Sequence, residues 1–125
     1  MAIPSRILAS GNSGLATISI CGDGATGLVA VGTTQATALQ LSAVFNAITT
    51  SSASTGLKLP PCEAGAMVYI YNLSGQTLQI YSNGTETMNA AVAGATGVAL
   101  GNTKTAICFA TSATTWAVTA ALSST

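Results

Sequence analysis

Apolar and polar side chains alternate with a period of two along most of this chain, the period of a strand whose successive side chains point to opposite faces. The clearest stretch is Met67 to Asn89. Val68 and Ile70 fall on one face, Leu78 and Ile80 repeat the pattern, and Leu73-Ser74-Gly75 lies between them with glycine where a turn takes a positive φ. The pattern predicts a β-hairpin in which Ile70 pairs with Leu78 and Val68 with Ile80. Its second face carries Met67, Tyr69, Tyr71 and Tyr81 beside Thr77 and Gln79, a mixture that calls for a cover. A further turn at Ser82-Asn83-Gly84-Thr85 leads to a short arm from Thr87 to Asn89.

Upstream, Leu15 to Ile20 alternates cleanly, Gly22-Asp23-Gly24 turns the chain, and Gly27 to Gly32 supplies a second strand. Gln35 to Thr50 fits two periods: Leu41, Val44, Phe45 and Ile48 have helical spacing, whereas Ala43, Phe45 and Ala47 have strand spacing. A helical turn near Thr37 to Ser42 followed by a strand ending at Ile48-Thr49-Thr50 is expected. Gly56 to Leu59 is a short strand stopped by Pro60-Pro61. Downstream, a short strand at Val98 to Leu100 follows an Ala- and Gly-rich loop. A second hairpin then sets Ile107 and Phe109 against Val118 and Trp116 across a turn at Thr111 to Thr114, with Trp116 and Phe109 as core anchors. About eight short strands between Gly, Ser, Thr and Asn turns define an all-β chain, a β-sandwich or jelly roll. Residues 1–14 form an N-terminal arm holding Ile3, Arg6, Ile7 and Leu8, and residues 15–125 form a single domain; the other reading of the arm is an edge strand begun by Ile7 and Leu8.

The pieces around the central hairpin also follow a recognisable order. Lys58-Leu59-Pro60, Ala64-Gly65, Met67 to Asn72, Gly75, Leu78 to Tyr81, Gly84 and Met88-Asn89 together resemble a module of tailed-phage virion proteins. That family includes small head decoration (cement) proteins and domains of tail fibres. The likeness runs from about Thr34 to Val118, and the family's tyrosine-proline at the strand end is here Tyr81-Ser82.

Composition sharpens the picture. Hydrophobic types make up 49 % of the chain and charged types only 5 %, so this is not a disordered sequence. Three basic and three acidic residues leave a net charge of zero, which steers the chain to neither nucleic acid nor an anionic membrane. So little charge favours association, the expected state of a chain that works inside an assembly. No apolar run approaches a membrane span, and Met1 to Ser13 lacks the basic start and continuous apolar middle of a signal peptide. Cys21, Cys62 and Cys108 are far apart and without CxxC spacing, and are expected as small buried hydrophobes. With no secretory signal expected, chance is the better explanation of the sequons Asn72-Leu73-Ser74 and Asn83-Gly84-Thr85.

The chain contains no histidine, which removes Ser-His and Cys-His nucleophiles and the commonest general base. Glu63 and Glu86 are the one carboxylate pair to consider for glycosidase chemistry, and nothing in the spacing joins them. Asp23 with Asn12 offers too few oxygens for calcium. The glycines near Asp23 are not followed by the Lys-Ser/Thr of a phosphate loop. The expectation is therefore a non-enzyme with no cofactor and no metal.

Binding is the better candidate. Tyr69, Tyr71 and Tyr81 are aromatic rings with polar tips, suited to a subunit interface or a sugar-binding surface; the third reading is cover by Ser51 to Thr55 or Ala90 to Gly101 of the same chain. The resemblance implies more: a decoration protein on the outer surface of the phage head, assembled in the host cytoplasm, a homotrimer at three-fold positions whose partner is the major capsid protein. In that reading Ile3, Arg6, Ile7 and Leu8 contact the capsid and Tyr69, Tyr71 and Tyr81 form the subunit interface. The rival is a tail-fibre or receptor-binding domain that recognises host glycans through the tyrosine face.

Overall fold

A computed structural model describes residues 9–11, 13, 22–89 and 92–123, so the arm residues Ile3, Arg6, Ile7 and Leu8 and the strand expected over Leu15 to Ile20 lie outside the described residues. The chain is all-β with two sheets. In order its strands are β1 (Gly24–Val29), β2 (Leu39–Gln40), β3 (Phe45–Thr50), β4 (Gly56–Lys58), β5 (Met67–Asn72), β6 (Leu78–Tyr81), β7 (Thr87–Met88), β8 (Val92–Ala93), β9 (Val98–Leu100), β10 (Lys104–Ser112) and β11 (Thr115–Ser123). One sheet has seven strands in the order β1-β3-β5-β10-β11-β7-β8, and the other has four in the order β2-β4-β6-β9.

Through β6, each strand is followed by one in the opposite sheet. β1, β3 and β5 then stack in parallel in the larger sheet, and β2, β4 and β6 stack in parallel in the smaller one. The chain therefore winds as a coil of three turns, closed by the antiparallel β10–β11 hairpin against β5. This differs from the antiparallel neighbours of a jelly roll, and it overturns the central hairpin. β5 pairs with β3 and β10, β6 with β4 and β9, and Ile70 and Val68 do not pair with Leu78 and Ile80. The four side chains still meet, from opposite walls of one core: Val68 and Ile70 point inward from the larger sheet, Leu78 and Ile80 from the smaller, each no more than 2 % exposed.

That core also holds Ile48, Leu57, Leu59, Met88, Leu100 and Trp116. Burying a side chain of this size is worth roughly 1.5–3 kcal/mol, so the shared core is what holds the two layers together. Trp116 is its largest member, as expected, but Phe109 is not a member. The observed register sets Cys108 opposite Val118 and Phe109 opposite Ala117, one residue away from the expected facing of Ile107 and Phe109 with Val118 and Trp116. β10 turns its small residues Ala106, Cys108 and Ala110 inward, because Trp116 on the neighbouring strand fills the space that larger ones would need.

The helical turn expected near Thr37 to Ser42 is instead a turn over residues 35–37 followed by β2. The left-handed glycine in the turn after β5 is as expected, with Gly75 at φ 85°. β4 does end before Pro60-Pro61, and β9 coincides with the strand expected at Val98 to Leu100.

Candidate functional site

The period of two that sends Val68 and Ile70 inward sends Met67, Tyr69 and Tyr71 to the outer face of the seven-stranded sheet. β3 and β10 flank β5, and their outward residues come into register with it. Phe45 stands beside Tyr69 and Ala47 beside Tyr71. On the other flank Ile107 is opposite Tyr69 and Phe109 opposite Met67. The Phe45 and Tyr69 rings are stacked, with centroids 4.9 Å apart and planes 18° from parallel. Such a pair contributes about 0.5–1.5 kcal/mol beyond its buried area.

Two polar devices hold this pair from behind. Asp23 accepts hydrogen bonds from Val44 N through Oδ1 and from Phe45 N through its carbonyl, both at 2.9 Å, and so fixes the start of β3. Asn46, buried on the inner side, donates through Nδ2 to Ala43 O at 2.9 Å and to Tyr69 O at 3.2 Å, tying β3 to β5.

The face is apolar and wet. Phe45 and Met67 are each 46 % exposed and Phe109 42 %. Over the stack lies an open cleft of about 600 Å³, floored by Phe45, Tyr69, Tyr71 and Ile107 and rimmed by Gly24, Ala25 and Thr26 of β1. Among the described residues, no Asp, Glu, Lys or Arg lines it. The loop at Ser51 to Thr55 does not cover it, because that loop is bonded to β6 of the other sheet through Gln79 N and Thr55 O at 3.1 Å. Of the second segment considered as a cover, β9 belongs to the other sheet and β8 is the far edge strand of this one, separated from β5 by β10, β11 and β7.

The tyrosines are therefore not one stripe. Tyr69 and Tyr71 share this face, but Tyr81 lies on the smaller sheet and is 5 % exposed, with its hydroxyl donating to Thr33 O at 3.2 Å. Its ring is wedged between two glycines: a Cβ on Gly56 would overlap Tyr81 Cε2, and one on Gly97 would come within 2.9 Å of Cδ1. Placing Tyr81 on one face with Tyr69 and Tyr71 is corrected by the crossing of the chain between sheets after β5. The face instead recruits Phe45, Ile107 and Phe109. The strand-spaced alternative Ala43-Phe45-Ala47 was the sequence signal for the first of these.

Among the described residues no three His, Cys, Asp or Glu side chains converge on a point. Cys108 is fully buried, and burial pushes its thiol up to about 12, away from the thiolate a nucleophile needs. Burial, with the Glu86 carboxylate second, also raises the Cys62 thiol, which donates to Ser112 O at 3.1 Å. Glu86 itself accepts from Gly84 N at 2.6 Å. Asn72 of the first sequon is 0 % exposed. No helix among the described residues is long and apolar enough to cross a membrane.

Compared with protein-family models, with curated proteins and with solved structures, the chain has no match.

Proposed function

We propose that this chain is a structural virion protein, a decoration (cement) protein that binds the outer surface of a phage head as a homotrimer and stabilises the capsid. The observation that carries the reading is the uncharged aromatic face of the seven-stranded sheet, where Phe45, Met67 and Phe109 remain more than 40 % exposed. Contiguous apolar surface of this kind marks an interaction site, and aromatic residues and Met are the types that interfaces enrich. The β-sandwich of two sheets around one dry core is a rigid support for such a face. A net charge of zero means that copies of the chain do not repel one another. The resemblance of the Lys58 to Asn89 segment to phage virion modules supplies the setting. In this reading Tyr69 and Tyr71, joined by Phe45 and Phe109, meet neighbouring subunits, while Ile3, Arg6, Ile7 and Leu8 reach the major capsid protein. Several modest contacts made at once add through multivalency, which lets a small inert protein clamp large ones.

The test uses purified heads lacking the protein. Wild-type chain should sediment as a trimer and saturate the heads. Phe45→Glu, which sets a carboxylate in the apolar face without touching the core, should sediment as a monomer and occupy few head sites while remaining folded. Removal of residues 1–10 should abolish head binding and leave the trimer intact. A wild-type monomer, or full head occupancy by Phe45→Glu, defeats the reading. Binding of wild-type chain to host glycans, lost in Tyr69→Ala, would replace it by the tail-fibre alternative.

A further inference from the structure

On the far side of the molecule from the aromatic face, the smaller sheet carries a second cleft, of about 410 Å³, with a larger share of polar groups. Among the described residues its lining is Ala53 with the polar Thr33, Ser54, Gln76, Thr77, Gln79 and Tyr81, none of them charged. We propose that this cleft is a binding site for a neutral saccharide.

Four observations lead there. First, the volume lies within the range of small-ligand sites, and the absence of any cation or anion in the lining gives an ionic ligand no partner. Second, the donors and acceptors are amides and hydroxyls, the groups that exchange hydrogen bonds with sugar hydroxyls in both directions. Gln79 Nε2 donates to Thr96 O at 3.1 Å, which orients the amide and leaves Oε1 as an acceptor, while the Gln76 and Thr77 side chains are exposed at the mouth. Third, Ala53 and the ring of Tyr81 set apolar surface beside the hydroxyls and amides, a mixture that suits a pyranose, whose C–H faces are apolar and whose edges carry hydroxyls. Fourth, β6 is already paired on both sides, with β4 and β9, so an extended peptide cannot be taken up there by strand addition.

The cleft is also held in shape before any ligand arrives. The loops that wall it are joined by Ser51 Oγ to Ser74 Oγ at 3.0 Å, and Ser54 is kept at φ 62°, a conformation that costs a serine energy and persists only where the surroundings impose it. Rigid walls reduce the entropy lost on binding. Because the site and the aromatic face belong to different sheets, a copy fixed to an assembly through one keeps the other free.

The experiment titrates isotopically labelled full-length chain with glucose, galactose, mannose, N-acetylglucosamine and their β-linked disaccharides, followed by NMR. At least one sugar should shift the side-chain amides of Gln76 and Gln79 and the backbone amide of Ser54, and leave Phe45 and Tyr69 unmoved. Gln79→Ala should weaken that sugar by about tenfold, the loss of one hydrogen-bonding group. Gln76→Ala, which trims an exposed side chain and leaves the backbone carbonyl that Asn72 uses, should weaken it by a similar factor. Absence of shifts at the cleft with every sugar overturns the proposal, as do shifts confined to the Phe45 and Tyr69 face or an unchanged affinity in both variants. None of these outcomes bears on head binding through the aromatic face.

Discussion

The side chain of Asn89 is bonded to the backbone of Val118 in both directions: Nδ2 donates to Val118 O at 3.0 Å, and Oδ1 accepts from Val118 N at 2.8 Å. The amide thus continues the ladder between β7 and β11 for one further position, after the Asn89 backbone has turned aside at φ 53°. Asn89→Ala removes both bonds and should lower the unfolding free energy by about 1–2 kcal/mol in urea titrations. Asn89→Gly, which loses the same bonds but accepts the positive φ, should lose less. Equal losses in the two variants would mean that the backbone conformation is not under strain.

Asn72 plays the corresponding part where the chain leaves β5 for the other sheet. Nδ2 donates to Gln76 O at 2.7 Å and to Leu100 O at 3.0 Å, and Oδ1 accepts from Ser74 N at 3.0 Å and Ser74 Oγ at 2.7 Å. Asn72→Asp keeps the shape but aims a carboxylate at three carbonyl oxygens, those of Gln76, Leu100 and Gly101, in a fully buried site. It should cost more than about 3 kcal/mol at neutral pH and recover in part on acidification, as the carboxyl regains a donor proton. A denaturation midpoint within error of wild type at neutral pH contradicts this role.

The ring of Tyr81 leaves no room for a methyl group on either neighbour. Gly56→Ala should therefore destabilise by about 1–3 kcal/mol, the usual effect of overpacking. Tyr81→Leu loses the bond to Thr33 O but clears the overlap, so adding Gly56→Ala to it should cost about 1 kcal/mol less than in wild type. Strict additivity in the double-mutant cycle would show that the glycine answers to something other than the ring.

Cys108 makes stability fall in alkali. Its thiol is raised from 9.0 to about 12 by burial, so between those values the unfolded chain gives up a proton that the folded chain keeps. The stabilisation is complete below the unfolded pKa and is lost as pH rises towards the folded one, with a slope of up to about 1.4 kcal/mol per pH unit. The raised Cys62 thiol acts in the same direction. Urea midpoints measured from about pH 8 to 11 should decline less steeply in Cys108→Ala than in wild type, whatever the variant loses at neutral pH. Parallel slopes would place the thiol's titration outside the unfolding transition.

Which way each side chain points is legible in the sequence for β5 and β6, because a period of two declares the face, whereas β3 fits two periods. It does not declare the partner. Val68, Ile70, Leu78 and Ile80 would point at a common core in a hairpin or in a crossing between sheets, and the crossing is favoured by Asn72, whose amide is satisfied only by carbonyls from both the turn and the end of β9. The aromatic face was half visible for the same reason: Tyr69 and Tyr71 were grouped rightly, Tyr81 wrongly, once the chain changed sheets. In β10 the two alternating sets Ile107/Phe109 and Ala106/Cys108/Ala110 were both apolar, so hydrophobicity alone could not choose between them. Volume chose, through Trp116.

The winding of β1 to β6 has a mechanical consequence. Strands adjacent in sequence there are never bonded to each other, so no pair of them can be unzipped from one end as a hairpin can. Tension along the backbone has to shear whole ladders in both layers together, and amide hydrogens in β3 to β6 should exchange with solvent as a single cooperative block.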